Sequence, residues 1–130
     1  MLFVKHSDLE WNYSAKHDMD AGVNKDLPFN ESADIIFARI KVGHTLTPHW
    51  HVRPKDQKKQ DGYESFFFFK GGKILLIRKN EEIKIELDEP FTLTFYSGEE
   101  DMHGIKNIGD CDVEFQVLCA PRFTSDEERF

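Results

Sequence analysis

The sequence predicts an all-β domain, a sandwich or barrel of short antiparallel strands. Two observations carry this. Apolar residues recur in short runs bounded by Gly, Pro, Asn and Asp, with turn signals every ~6–12 residues. No segment sustains a helical apolar stripe. At 130 residues the chain is long enough for one domain with one core.

Residues 1–33 are weakly patterned and read as an irregular segment lying over the core. Phe3 and Val4 could open an edge strand, while Gly22, Asn24 and Pro28 mark loops. His6 and His17 read as surface histidines, since neither has a ligand partner at fixed spacing. Asp34–Val42 is the first clear strand, with Ile36, Ala38 and Ile40 on one face. Arg39 interrupts its apolar character and reads as a surface ion pair or an anion anchor. Thr45–His51 follows Gly43, and Pro48 within it implies a bulge or an edge. Residues 52–62 form a long polar loop whose Arg53, Lys55, Lys58 and Lys59 make either a solvated face or a basic lid.

Tyr63–Lys70 carries four consecutive phenylalanines, Phe66 to Phe69, so both of its faces should be covered. Lys73–Arg78 and Glu82–Leu87 form a hairpin around Lys79, Asn80 and Glu81. Phe91–Tyr96 is a strand, Ser97–Asp101 an acidic loop, Met102–Lys106 a short strand, and Asp112–Ala120 the last. The tail from Thr124 to Phe130 could hold one helical turn, with Ser125 as cap and Glu128 completing a capping box.

The chemistry concentrates between Gly43 and Gly71. His49 and His51 are two apart, so strand geometry puts both imidazoles on one face and Trp50 on the other. Trp50 then reads as core or interface. Glu64 follows at the start of an apolar strand, and His103 comes much later. Imidazoles with one carboxylate suit a first-row transition metal, and zinc, iron, manganese and nickel all fit. Tyr63, beside Glu64, and Tyr96, at the end of a strand leading to His103, are candidate proton-transfer residues and equally packing residues.

With these residues placed, the sequence resembles the cupin superfamily, whose fold is a small jelly-roll β-barrel. Its first motif is Gly, five residues, His-x-His, then Glu, six residues and Gly. Gly43, His49 and His51 match the first half, and Glu64 and Gly71 the second. The departure is the gap of twelve residues between His51 and Glu64. It leaves a competing carboxylate at Asp56, with Gln57 beside it, although strand parity with Phe66 and Phe68 favours Glu64. His103 and Asn107 match the His-x-x-x-Asn end of the second motif, while the usual Pro-x-Gly lead-in is replaced by Tyr96-Ser97-Gly98. The resemblance covers about residues 34–123, leaving 124–130 as a charged tail.

The resemblance implies a metal held by His49, His51, Glu64 and His103. It also implies an enzyme acting on a small polar metabolite, expected to be anionic, by isomerase, lyase or tautomerase chemistry. An iron(II) dioxygenase and a non-catalytic small-ligand binder are its rivals, and a metal-free epimerase is a further one. A homodimer is expected, with the phenylalanine run as its interface. A net charge of −7 argues against general affinity for nucleic acid or anionic membrane. No apolar run reaches the ~20 residues of a membrane span, and no signal-peptide pattern opens the chain. Cys111 and Cys119 lie eight apart in one expected strand, ~26 Å end to end, so they cannot pair with each other. Reduced thiols point to the cytoplasm.

Overall fold

The computed structural model describes residues 5–24, 29–30, 33–52 and 62–130. Twelve strands are assigned among them: β1 (Glu10–Ser14), β2 (Met19–Val23), β3 (Phe29–Asn30), β4 (Ala33–Ile40), β5 (Thr45–His51), β6 (Tyr63–Phe68), β7 (Lys73–Arg78), β8 (Glu82–Glu86), β9 (Phe91–Tyr96), β10 (His103–Asn107), β11 (Val113–Ala120) and β12 (Glu128–Arg129). Every described pairing is antiparallel. One sheet runs β1-β2-β4-β11-β6-β9 with β3 on β4, and the other runs β12-β5-β10-β7-β8. This is the two-sheet jelly-roll sandwich that the strand pattern and the motif spacing imply.

Period-2 alternation fills the space between the sheets. Ala38 and Ile40 of β4, Phe66 and Phe68 of β6, Phe95 of β9, and Val113, Phe115 and Val117 of β11 come from the larger sheet. Leu46 of β5, Ile74 and Leu76 of β7, Ile105 of β10 and the adjoining Leu87 answer from the other. At about 25 cal/mol per Å2 of apolar surface removed from water, each such side chain contributes roughly 1.5–3 kcal/mol. Phe66 and Phe68 serve this core, while Phe67 and Phe69 point outward and are exposed.

The N-terminal region is more regular than its composition suggests. β1 and β2 form a hairpin, and β2 pairs with β4 through Asp20, Ala21 and Gly22. Alternation is hard to see there because the strands are short and lie at a sheet edge, where polar residues are tolerated. Arg39 takes the ion-pair reading: its guanidinium meets Asp20 at 2.9 Å and lies 4.3 Å over the Trp11 ring. Phe3, Val4 and Pro28 lie outside the described residues.

Pro48 coincides with an irregular register between β5 and β10, from His103 to Ile105. Gly104 sits in that irregularity, where a Cβ would come within 2.8 Å of Pro48 Cγ and 3.0 Å of the Leu46 carbonyl. Only glycine lets the two strands approach this closely beside His103. Asn107 closes the following turn. Its amide donates to the carbonyls of Ile40 (2.9 Å) and Cys111 (2.8 Å), and its oxygen accepts from Gly109 N–H (3.0 Å). In the C-terminal tail Glu127, not the expected Glu128, is the carboxylate that reaches back over the turn. Thr124 Oγ1 and N–H both donate to Glu127, ahead of a short 3-10 turn, Ser125–Glu127. That releases Glu128 to pair with β5, opposite His51.

Candidate metal centre and its cavity

Three strands bring the expected ligands together. β5 supplies His49 and His51, β6 supplies Glu64, and β10 supplies His103, and all four side chains are buried. His103 is the backbone partner of His49, which sets those imidazoles side by side with ring centroids 4.7 Å apart. Ligand atoms of His49, Glu64 and His103 lie within 4.8 Å of one another. His51 adjoins this group rather than joining it, with its Nδ1 3.4 Å from Glu64 Oε2. The alternative carboxylate, Asp56, its neighbour Gln57 and the basic loop residues Arg53, Lys55, Lys58 and Lys59 lie outside the described residues.

Backbone carbonyls set the tautomers. His49 Nδ1 is 2.7 Å from the Thr47 carbonyl, and His103 Nδ1 is 2.8 Å from the Asp101 carbonyl. A carbonyl only accepts, so each Nδ1 carries a proton and each ring turns its Nε2 to the centre, where the neutral form offers a lone pair. Such an outer hydrogen bond is the usual way a metal-binding histidine is oriented. The turn that holds His103 is itself braced: Asp101 accepts from Arg78 at 2.8 Å and from the Tyr96 N–H at 2.7 Å. Phe95 stacks flat on the His103 ring at 3.9 Å.

Two polar atoms meet at the centre. His103 Nε2 and Glu64 Oε2 are 3.2 Å apart, both buried, and neither has a hydrogen-bond partner. A proton on Nε2 or a cation between the two atoms would satisfy both. A divalent metal is one such cation, and the donor set of two imidazoles and a carboxylate fits one. The charges point the same way. Burial pushes His49 down to about 4, with His103 adding to the effect, so its ring is neutral and ligand-ready near neutral pH. Burial works to raise Glu64, but the three histidines outweigh it and hold its carboxyl below the usual range.

A cavity of about 120 Å3 opens beside the group, bordered by His49, His51 and Glu64. Further residues reach it that sequence spacing does not reveal. His17 arrives on the β1–β2 turn, which is docked by Thr47 N–H donating to the His17 carbonyl at 3.0 Å. Its Nε2 is 2.8 Å from Glu128, and its Nδ1 is 2.9 Å from Ser14 Oγ. Burial opposes ionisation of Glu128, yet His17 and Lys16 outweigh it and bring its carboxyl down to about 2. Phe123 stacks on His51 at 4.1 Å and Phe130 on His49 at 5.4 Å, so the C-terminal tail forms a wall of the site. Asp34 and Cys119 line the cavity as well. Burial, then the neighbouring carboxylates, pushes the Cys119 thiol far up, so it stays protonated.

The structure does not bring Tyr63 and Tyr96 to this cavity. They pair with each other across β6 and β9 on the outer face, both exposed. Tyr63 adjoins Glu64 in sequence, and a strand turns adjacent side chains to opposite faces. Trp50, also opposite the histidines, is half-buried, and His6 lies on the outside against Glu114.

No family model matches the chain, and no curated protein matches it. Solved structures do. A sugar phosphate isomerase of the cupin superfamily from Silicibacter pomeroyi superposes with a TM-score of 0.72 at 14% identity, over 93% of this chain and 76% of that one. A predicted oxalate decarboxylase from Thermotoga maritima gives 0.67 at 13% identity, over 93% of this chain and 100% of that one. The capsular polysaccharide assembling protein CapF from Staphylococcus aureus gives 0.64 at 19% identity over 94% of this chain, which spans only 34% of CapF. The chain has the cupin fold, and its neighbours in that fold include proteins named as an isomerase and a decarboxylase.

Proposed function

We propose that this protein is a metal-dependent enzyme that isomerises, cleaves or tautomerises a small polar metabolite. The observation that carries the reading is the pair of buried, unpartnered atoms at the centre, Glu64 Oε2 and His103 Nε2, 3.2 Å apart. A metal ion between these two buried atoms would satisfy both. His49, Glu64 and His103 would hold the metal, with His51 as the fourth ligand on the Glu64 side. Iron, manganese, zinc or nickel bound there would supply Lewis acidity to a substrate oxygen. The chain's own parts do the rest. The Thr47 and Asp101 carbonyls orient the imidazoles, Phe123 and Phe130 shield them from water, and the small cavity confines the substrate. The names of the isomerase and decarboxylase neighbours support this class of chemistry and leave the substrate open.

The test is metal content by mass spectrometry on untagged protein, beside the His49→Ala/His51→Ala variant. Near one equivalent in the parent, lost in the variant, supports the centre. Iron with oxygen uptake would turn the reading to a dioxygenase. Metal in neither, even after reconstitution, rejects both metal enzymes and leaves a ligand-binding barrel.

A homodimer remains part of the proposal, through the outer face that carries Tyr63, Phe67 and Tyr96. A monomer by sedimentation at micromolar concentration would remove it.

A further inference from the structure

One cavity-lining group has no task in the centre described above. Asp34 sits at the start of β4, facing inward. Its backbone partner is Cys119, whose partner on the other side is Glu64. The three therefore form a row across β4, β11 and β6, with Asp34 and Glu64 two strand spacings apart, ~10 Å between Cα atoms. Asp34 lines the same cavity as His49, His51 and Glu64. Its Oδ1 is buried and has no hydrogen-bond partner. The nearest donor in the row is already engaged, because the Cys119 thiol is directed to Glu64 Oε1 at 3.9 Å. Burial pushes the Asp34 carboxyl above the usual range, and the positive charge of Arg122 only partly opposes this.

The site's charge and size add to this. The described lining holds the carboxyl groups of Asp34, Glu64 and Glu128 and no lysine or arginine side chain. Glu64 faces the histidines, and Glu128 is held by His17 and Lys16. Asp34, whose charge Arg122 only partly offsets, is thus the acidic group with a buried oxygen left to meet a ligand. An anion placed there meets a like charge in a low-dielectric site, whereas a hydroxyl finds an acceptor. The cavity, about 120 Å3, is somewhat smaller than the ~150 Å3 that accommodates benzene, which sets a ligand of about six non-hydrogen atoms.

We propose that Asp34 is the specificity-determining residue of this site. It accepts a hydrogen bond from a hydroxyl of a small uncharged ligand whose other oxygen faces the His49–Glu64–His103 group, and it disfavours anions of equal size. This rests on the metal-centre reading and departs from the anionic substrate that the sequence suggests.

The test compares two probes of equal size, dihydroxyacetone (neutral) and lactate (anionic). Their affinities for the manganese-loaded protein are measured from the relaxation of the probe protons, in wild type and in Asp34→Asn. The variant should shift the affinity ratio toward lactate by about tenfold or more, since it loses an ionic acceptor and a like charge. The metal-free variant should also melt higher, by about 4 °C, because a half-buried carboxyl group with one buried, unpartnered oxygen has been replaced by a neutral amide. An unchanged ratio overturns the proposal. So does a lower melting temperature, which marks Asp34 as a structural residue, and so does failure of both probes to bind wild type at millimolar concentration. Metal content is measured on the same samples. If wild type takes up no manganese, the metal centre fails by that reading, and the metal-free melting shift still judges Asp34.

Discussion

The two ends of the sandwich are built by the same strands and do opposite things. Inward-facing positions lie near both ends of β4 (Asp34 and Ile40), β6 (Glu64 and Phe68) and β11 (Cys119 and Val113), and β10 adds His103 and Ile105. At one end the inward positions are Ile40, Phe68, Ile105 and Val113, all buried in one apolar cluster. At the other they are Asp34, Glu64 and Cys119, which line the cavity, and His103 beside Glu64. Strand alternation decides which residues face inward. Position along the strand then decides whether they add to stability or to chemistry. The apolar end carries the folding energy that lets the polar end keep unsatisfied groups.

The comparison is broken most directly at the apolar end. Phe68→Ala should cost about 3–5 kcal/mol in urea unfolding. It should leave the metal stoichiometry of the folded fraction unchanged. A cost under about 1 kcal/mol would mean that the two ends share the load.

Acid should act on the polar end. His49 is held neutral with a value of about 4 in the folded chain, against 6.5 for a free imidazole. Below pH 6.5 the unfolded chain takes up a proton that folded His49 refuses. Stability is therefore full above pH 6.5, falls as pH drops toward 4, and stops falling there, with a loss on the order of 3 kcal/mol. Urea unfolding of metal-free protein across that range checks it, and a flat profile would show that His49 is protonated when folded.

Metal should sharpen the contrast. A divalent ion at a hundred times its dissociation constant should stabilise the protein by about 2.7 kcal/mol, and His103→Ala should abolish the effect. Phe68→Ala should keep it. Thermal melts with and without metal distinguish the two.

The smallest effect belongs to the brace behind His103. Asp101→Ala removes the acceptor for Arg78 and for the Tyr96 N–H. It should cost about 1–2 kcal/mol and weaken metal binding roughly 10–100-fold. Unchanged metal affinity would show that the Asp101 backbone carbonyl alone orients the ring.

Much of this was legible in the chain itself. Thr45–His51, Lys73–Arg78 and Phe91–Tyr96 form strands with the expected bounds, because each is a run with apolar content closed by strong turn residues. His49, Glu64 and His103 were marked by spacing, and Pro48 announced its irregular register. Strand parity also carried a warning about Tyr63, whose neighbour Glu64 faces inward and so turns the phenol out. The hairpin of β1 and β2 leaves little trace in the sequence because its short strands show little alternation.

What the sequence determined by itself is local: the strand period, the turns, and ligands two or six residues from a marker. His17 and Glu128, 111 residues apart, meet at 2.8 Å only because the β1–β2 turn docks on β5 and the C-terminal tail pairs with β5's other end. Asp34 joins the cavity because β4 and β6 both pair with β11. Phe123 and Phe130 cover the histidines for the same kind of reason. Spacing along a strand fixes which face a side chain takes, whereas the pairing of distant strands fixes what lies across from it, and that pairing is a property of the whole fold.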